Sequence, residues 1–502
     1  MLITILVYLA AMVGIGAVLA KQNQTTDDFY LGGRTLGPLV TAMSAEASDM
    51  SSWLLMGLPG VAYLSGTADA AWTAIGLAIG TYVNWLVVAK RLRNYTHVCG
   101  NSTTLPLFFS NRYRDNKRIL SVIAALLIII FFVPYTASGF AACGKLFANL
   151  FGIDYLPAML ISAIVIVAYT TLGGFLAAST TDFVQSIVMT IAIVVVFGFG
   201  ISKVGSFSAV MDNAKSMAGY FSLTHTHDVA TGTASPYSLL QIFSTLAWGL
   251  GYFGMPHVLL RFMAIGDANK LKLSRRVATV WVVISMAVSV FIGVIGNAMT
   301  KAGVLPTLKD PETIILVVAD LISKHGVLAT IIAGLILAGI LAATMSTADS
   351  QLLAASSSAS QNILKEVFMK DMSEKTGMLI ARITVLVIAL IGVFIARNPD
   401  SSVFQIVSFA WAGFGASFGP LVLLALFWKR STFQGALCGM ISGGVMVFVW
   451  KFLIRPMGGA LGIYELLPAF LLGLAVNVIV SLLTPAPSRE VQDEFDKVAS
   501  MK

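Results

Sequence analysis

The sequence predicts an all-α protein that crosses a membrane about thirteen times, and three observations support this fold class. Hydrophobic residues make up 57% of the 502 residues and charged residues only 11%, whereas charged residues are about a quarter of a soluble domain. The mean hydropathy is +0.86. Apolar runs of about 18 residues or more, long enough to span a bilayer, recur along the whole chain.

These apolar runs predict the order and the orientation of the spans. An odd number of spans places the two termini on opposite sides of the membrane. Loops on the C-terminal side hold most of the 32 basic residues, and Lys and Arg concentrate in cytoplasmic loops. We therefore expect an outside N-terminus and a cytoplasmic C-terminus. The predicted spans lie near 2–20, 36–63, 71–89, 119–149, 156–175, 182–202, 239–260, 277–299, 327–360, 378–396, 402–428, 434–454 and 465–484.

Several function classes are disfavoured by the polar parts of the chain. The net charge is +8, but the basic residues lie in short loops, so we expect no nucleic-acid partner. The three cysteines have neither a paired nor a metal-binding spacing. No obligate protein partner is evident. His225 and His227 lie in a polar loop and are typical of a solvated surface. We expect the tail, 485–502, to be short and mobile, and no segment resembles an enzyme's catalytic module.

The second span carries two acids in a segment that is otherwise apolar enough to cross a bilayer. Glu46 and Asp49 follow Ser44, and an Asp at membrane depth costs at least about 2.5–3.5 kcal/mol. Such residues indicate a functional site that faces a cavity, a partner or an ion. The run Gly57-Leu58-Pro59-Gly60 predicts that the helix is interrupted after the acids.

The seventh span is also rich in helix breakers, from Trp248 to Pro256. Interrupted spans at matching positions in two halves are typical of transporters built from inverted repeats. The two interrupted spans are five apart, which predicts two five-helix units within one transporter domain. These units are 36–202 and 239–428, with helix 2–20 before them and helices 434–484 after them.

The ninth span offers oxygen ligands for a hard cation. Ser346, Asp349 and Ser350 have the spacing i, i+3 and i+4, which places them on one face of a helix. The alternative is that the serines bond back to their own helix or mediate packing. Asp182, at the start of the sixth span, suits a cation site and a helix-capping acid equally well. Without a nucleotide-binding motif, transport is expected to run on an ion gradient.

Several motifs resemble the bacterial sodium/proline symporters of the sodium/solute symporter family. They are Tyr30-Leu31-Gly32-Gly33-Arg34, Ser48-Asp49-Met50-Ser51, Tyr135-Thr136-Ala137-Ser138-Gly139, Trp248-Gly249-Leu250-Gly251-Tyr252-Phe253-Gly254 and Met345-Ser346-Thr347. The resemblance covers nearly the whole chain. It implies a LeuT-type inverted five-helix repeat and symport of L-proline with sodium across a bacterial inner membrane. The resemblance also implies that sodium is the coupling ion and that there is no cofactor besides it.

The resemblance also implies roles for individual residues. Arg34 matches a position that affects coupling. Sodium ligands are implied to be the carbonyls of Ala47, Met50 and Ala343 with the hydroxyls of Ser346 and Thr347. Residues implied in substrate binding are Asp49, Ser51, Tyr135, Trp248, Tyr252 and Pro256.

Three positions depart from the family pattern. Glu46 and Ser52 replace glycines, and Met255 replaces a glutamine. Ser52 and Met255 belong to the implied substrate pocket, so another small amino-acid-like solute remains an alternative to proline. Glu46 leaves proton coupling open, because a carboxyl in the membrane can be kept neutral and take up a proton.

A second ion site is a further implication. Asp182 and Ser350 resemble the second sodium site of some family members, and Asp349 adds a carboxylate. Either these residues bind a second cation, or Glu46 and Asp349 cycle protons. A channel is the main alternative class, because broken helices and intramembrane acids occur there too.

Overall fold

The structure is a computed structural model that describes residues 1–21, 25–369, 372–398 and 402–501, so residue 502 of the tail lies outside the described residues. Helices joined by short 3₁₀ and π segments make up most of it. The elements are α1 Leu2–Ala20, α2 Thr26–Leu31, α3 Pro38–Ser52, α4 Leu58–Ser65, α5 Thr67–Val83, α6 Ala89–Val98, α7 Leu105–Arg112, α8 Ile119–Phe151, α9 Tyr155–Val204, α10 Phe207–Ser216, β1 His225–His227, β2 Ala234–Pro236, α11 Leu239–Leu246, α12 Pro256–Ala264, α13 Leu271–Lys301, α14 Ile314–Ser323, α15 Val327–Ser357, α16 Glu374–Ile395, α17 Val403–Phe427, α18 Phe433–Val449, α19 Leu466–Leu483 and α20 Arg489–Ser500.

Within the described residues, 10 helical stretches are long and apolar enough to cross a membrane. Each coincides with one of the predicted spans. The three predicted spans without such a stretch are 36–63, 156–175 and 239–260. Two of these are interrupted, and in the third α9 is helical from Tyr155 to a kink at Gly174. The multi-pass, all-α character is therefore confirmed.

The second span is interrupted, but at a different residue from the one the sequence predicts. The break lies at Ser51, with φ 50° and ψ −171°, and Gly57 is helical. The prediction from Gly57 to Gly60 was wrong because Pro59 occupies the first turn of α4. A proline is tolerated there, since its missing N–H would have no partner within that helix.

The fifth and sixth predicted spans are joined in one long element, α9. Its helical path is kinked at Gly174, which has φ 62° and ψ −171°. This backbone region is open essentially only to glycine. The kink therefore lies at the end of the predicted fifth span, and the chain continues as helix through Asp182 into the predicted sixth span without a loop.

The seventh span is interrupted where the sequence predicts. A 3₁₀ segment, Ala247–Gly254, follows α11, and Met255 is extended before α12 begins at Pro256. A methyl group on Gly249 would overlap the carbonyl oxygen of Gly76 in α5. The glycines of this segment thus let its backbone approach neighbouring helices closely.

The interrupted spans lie inside the helical bundle. Helix α3 packs against α9, α12, α13 and α15, and the 3₁₀ segment packs between α5 and α17. Helices α18 and α19 pair with each other against α17. This packing surrounds the acids of the second span with protein on every side, and Glu46 and Asp49 are buried.

The C-terminal tail differs from the expectation of a mobile segment. Residues Arg489–Ser500 form α20, which packs against α6. Phe495 is buried, and the guanidinium groups of Arg91 and Arg112 lie 4.8 and 5.5 Å from its ring centroid. Arg114 adds an ion pair with Glu494 at 2.7 Å. The prediction failed because the charged residues indicated a mobile tail, whereas they belong to an amphipathic helix with buried residues on one side.

Candidate functional site

The break at Ser51 rearranges the hydrogen bonds of the second span. Ser51 Oγ accepts the Trp53 N–H at 3.0 Å and so starts the next helical segment. Tyr135 Oη, from α8, donates to the carbonyl oxygen of Asp49 at 3.1 Å. A serine in this backbone region is strained, and such strain is typical of functional sites.

The predicted sodium ligands come together between α3 and α15. Ser346 Oγ donates to the Ala47 carbonyl at 2.9 Å and lies 3.2 Å from the Ala343 carbonyl. Thr347 Oγ1 lies 3.1 Å from the same Ala343 oxygen. Met50 is buried on α3, nearly one turn after Ala47. Clustered carbonyl and hydroxyl oxygens suit a hard monovalent cation.

Asp49 joins the two interrupted spans. Its Oδ2 accepts a hydrogen bond of 2.6 Å from Tyr252 Oη, which belongs to the 3₁₀ segment. Its Oδ1 has no hydrogen-bond partner in the described part of the chain. Asn84 Nδ2 donates to the Tyr252 carbonyl at 3.1 Å and holds this segment against the region after α5.

An aromatic cluster surrounds Trp248 and extends the predicted substrate pocket. Trp411 Nε1 donates to the Trp248 carbonyl at 2.7 Å, and a cavity of about 350 Å³ opens beside Trp248. Sequence reasoning missed most of this cluster, since aromatic residues in apolar spans carry no distinguishing signal. The rings nearest to Trp248 belong to Tyr464 at 5.1 Å, Trp53 at 5.5 Å, Phe404 at 5.6 Å and Trp411 at 6.3 Å between centroids.

The three positions that depart from the family pattern are all buried within the two interrupted spans. Glu46 Oε1 accepts from Trp85 Nε1 at 2.9 Å, whereas Glu46 Oε2 has no hydrogen-bond partner among the described residues. Ser52 is buried directly after the break. Met255 and Pro256 are buried at the junction between the 3₁₀ segment and α12.

A second polar cluster lies around Asp182. Asp182 Oδ2 accepts from Ser44 Oγ at 2.6 Å and from Arg261 Nη2 at 3.2 Å. Arg261 also donates to Ser350 Oγ at 2.5 Å, and Ser350 Oγ donates to Asp349 Oδ1 at 3.1 Å. Arg261 lies just beyond the predicted span 239–260, but it is 1% exposed within α12. An Arg inside an apolar stretch is the signal that could have identified it.

Arg34 connects three segments outside the spans. Its guanidinium donates to the carbonyls of Met263 at 2.6 Å and Ser102 at 2.8 Å, and to Asn101 Oδ1 at 3.1 Å. Burial lowers the pKa of Arg34 to about 10, and Arg93 contributes a further lowering. The side chain remains charged at neutral pH, so it acts as a fixed cross-link.

The polar loop before the seventh span contains no metal centre. His225 and His227 lie in β1, which pairs antiparallel with β2. His227 Nδ1 is 2.8 Å from the Ala218 carbonyl. Across the described ranges, no group of three His, Cys, Asp or Glu side chains could hold a metal ion.

Comparison with solved structures shows the fold. A Na⁺-coupled sialic acid symporter superposes with a TM-score of 0.78 at 19% identity, covering 97% of this chain and 98% of that one. Mhp1, a nucleobase-cation-symport-1 family transporter, gives 0.54 at 13% identity, covering 94% and 98%. Both neighbours have LeuT-like folds.

Comparison with curated proteins and family models shows the family. The sodium/proline symporter of Escherichia coli is 41% identical, covering 99% of this chain and 95% of that protein. The osmoregulated proline transporter of Bacillus subtilis is 40% identical, covering 97% and 96%. The model of the sodium:solute symporter family matches residues 29–443. The chain belongs to the sodium:solute symporter family.

Proposed function

We propose that this protein couples inward sodium flux to uptake of L-proline by alternating access. The observation that carries the proposal is the meeting of the Ala47 carbonyl with the Ser346 hydroxyl at 2.9 Å, beside the break at Ser51. The proline part rests on relatives named as proline transporters that match nearly the whole chain. A secondary transporter needs no catalytic residues, and sodium is its co-substrate.

In this proposal, sodium is bound between α3 and α15. The carbonyls freed near the break and the hydroxyls on α15 supply neutral oxygens, and Asp49 supplies negative charge close by. Separation of α3 from α15 would disperse these ligands and release the ion. The proposed sodium ligands are the carbonyls of Ala47, Met50 and Ala343 and the hydroxyls of Ser346 and Thr347.

The solute is proposed to bind where the two interrupted spans meet. The aromatic cluster around Trp248 can close over an apolar ring, and Asp49 and Tyr252 offer polar contacts to a small zwitterion. Because Tyr252 bonds to Asp49, and Asp49 adjoins the sodium ligand Met50, the two sites are physically linked. The proposed solute residues are Asp49, Ser51, Ser52, Tyr135, Trp248, Tyr252, Met255 and Pro256.

The proposed membrane arrangement keeps thirteen spans, an outside N-terminus and a cytoplasmic C-terminus. Units 36–202 and 239–428 are the proposed inverted repeats, with 2–20 before them, 434–484 after them and a cytoplasmic tail, 485–502. Arg34 then lies at the cytoplasmic end of the second span, where its bonds to Ser102 and Met263 support a role in coupling. The proposed location is a bacterial inner membrane.

Proton-coupled or mixed-cation symport of another small amino-acid-like solute is the second candidate. One observation favours it: neither Glu46 nor Asp49 forms an ion pair with a basic side chain in the described ranges. Two buried carboxyls without a basic partner need a cation or a proton to balance their charge. Sodium can serve Asp49, whereas Glu46, nearly one helical turn before Asp49 on α3, could carry the proton.

Uptake into proteoliposomes tests both candidates. Labelled L-proline is supplied under an imposed sodium gradient or an imposed proton gradient, with other amino acids as competitors. We expect the sodium gradient to drive uptake and the proton gradient not to drive it. We also expect unlabelled proline to compete more strongly than the other amino acids. No uptake under either gradient would remove proline as the solute, and uptake under the proton gradient alone would favour Glu46 as the coupling group.

A further inference from the structure

Arg261 places a permanent positive charge among the residues of the predicted second ion site. It is 1% exposed on α12. Its Nη2 donates to Asp182 Oδ2 and to Ser350 Oγ, at 3.2 and 2.5 Å, and its Nε donates to Ser44 Oγ at 3.0 Å. The ring of Phe175 covers the guanidinium at 4.9 Å. One side chain thus joins α3, α9, α12 and α15.

The oxygens that bind Arg261 are those that a second cation would need. A hard monovalent cation would coordinate the Asp182 carboxylate and the Ser350 hydroxyl, and both already accept hydrogen bonds from Nη2. A guanidinium stays protonated in proteins, so Arg261 cannot lose its positive charge. A mobile cation at the same oxygens would face a like charge within hydrogen-bond range.

We propose that Arg261 is a tethered cation that fills the second ion site, so that this protein binds about one sodium ion per transport cycle. The inference rests on the proposed sodium symport. Ser350 lies one helical turn after the sodium ligand Ser346 on α15. Arg261 therefore closes the site adjacent to the sodium ion and fixes the coupling stoichiometry.

Equilibrium binding of radioactive sodium to the purified full-length protein tests this proposal without proline. We expect about one ion per wild-type protein, with a Hill coefficient near one. In Arg261→Gln, the freed Asp182 and Ser350 oxygens are expected to admit a second ion and raise the Hill coefficient towards about two. Adding Asp182→Asn to that variant removes the carboxylate and should restore about one ion.

The controls separate this role from packing and from the proposed function. Arg261→Lys keeps the charge, and we expect it to bind about one ion. Two bound ions in the wild-type protein would overturn the proposal, and so would a monodisperse Arg261→Gln protein that still binds one. If Arg261→Gln does not fold, the wild-type count still decides. Absence of sodium-driven proline uptake would instead overturn the proposed function, whatever the number of bound ions.

Discussion

At the scale of single residues, Asp49 is the point where the proposed ion and solute sites meet. Its main-chain neighbours on α3 include two proposed sodium ligands, Ala47 and Met50. Its side chain accepts a hydrogen bond from Tyr252 at 2.6 Å. A carboxylate in this position can respond to sodium and transmit that response to the solute pocket.

We expect Asp49→Asn to lower the initial rate of proline uptake at least about tenfold at low sodium, a difference of about 1.4 kcal/mol. The amide keeps the size of the side chain but removes its negative charge. Initial rates measured over a range of sodium concentrations check this. Tyr252→Phe, which keeps the carboxylate, should have a smaller effect on the sodium dependence. A wild-type sodium curve for Asp49→Asn would contradict the role of its charge.

Thr347→Ala is expected to raise the sodium concentration needed for half-maximal uptake several-fold, since the loss of one oxygen ligand costs about 1 kcal/mol. Thr344→Ala is the matched control, because the Thr344 hydroxyl bonds back to the Ile340 carbonyl at 2.9 Å. The same uptake assay compares the two variants. Equal sodium curves for both would place the ion away from Thr347.

Sequence reasoning found the acids and hydroxyls of the site because polar groups at membrane depth are costly and therefore conspicuous. It assigned no role to Arg261, which lies just beyond the end of the predicted span 239–260. The partners of Arg261 lie on helices that are distant in sequence, such as Ser44 and Ser350. Only tertiary packing brings these residues together, so no local pattern could reveal the cluster.

At the scale of elements, the 3₁₀ segment of the seventh span depends on close backbone approach. We expect Gly249→Ala to lower the free energy of unfolding by about 1–3 kcal/mol, because the added methyl group would overlap the Gly76 carbonyl. Thermal unfolding in detergent measures this effect. Gly198→Ala is the control, since a methyl group there meets no atom within 4 Å. Equal unfolding temperatures for both variants would contradict the packing described for Gly249.

The tail helix α20 makes a separate prediction. Phe495→Ala should release α20 from α6, because it removes the ring that packs beneath Arg91 and Arg112. Limited proteolysis should then cut within 489–500 faster than in the wild-type protein. Glu490→Gln is a suitable control, because Arg114 keeps its closer partner Glu494. Unchanged protection of the Phe495→Ala tail would show that Phe495 does not hold the helix.

The sequence predicted that the second span is interrupted, but not at which residue. Breakers such as Pro59 disfavour a helix only where they would remove an internal hydrogen bond, and Pro59 begins α4. Ser51 carries no local signal for a positive φ. At the break, Tyr135 Oη donates to the Asp49 carbonyl and the Trp53 N–H donates to Ser51 Oγ. Such contacts depend on the assembled bundle.

At the scale of the whole molecule, hydropathy was enough to predict an all-α multi-pass protein, because the bilayer requires long apolar helices. It could not distinguish continuous from broken spans, and two of the predicted spans, 36–63 and 239–260, are interrupted. The number of spans and their orientation remain predictions. Family membership places this architecture among symporters, for which the energetics of ion coupling are the central property.

The accumulation of proline at steady state tests the central claim, coupling to sodium, most directly. One cation that crosses about 100 mV supplies roughly 2.3 kcal/mol, and a tenfold gradient adds about 1.4 kcal/mol. In proteoliposomes with both forces, we predict accumulation of up to several hundred-fold that collapses when the sodium gradient and the membrane potential are dissipated. Accumulation that persists without sodium, or that follows an imposed proton gradient alone, would contradict sodium coupling.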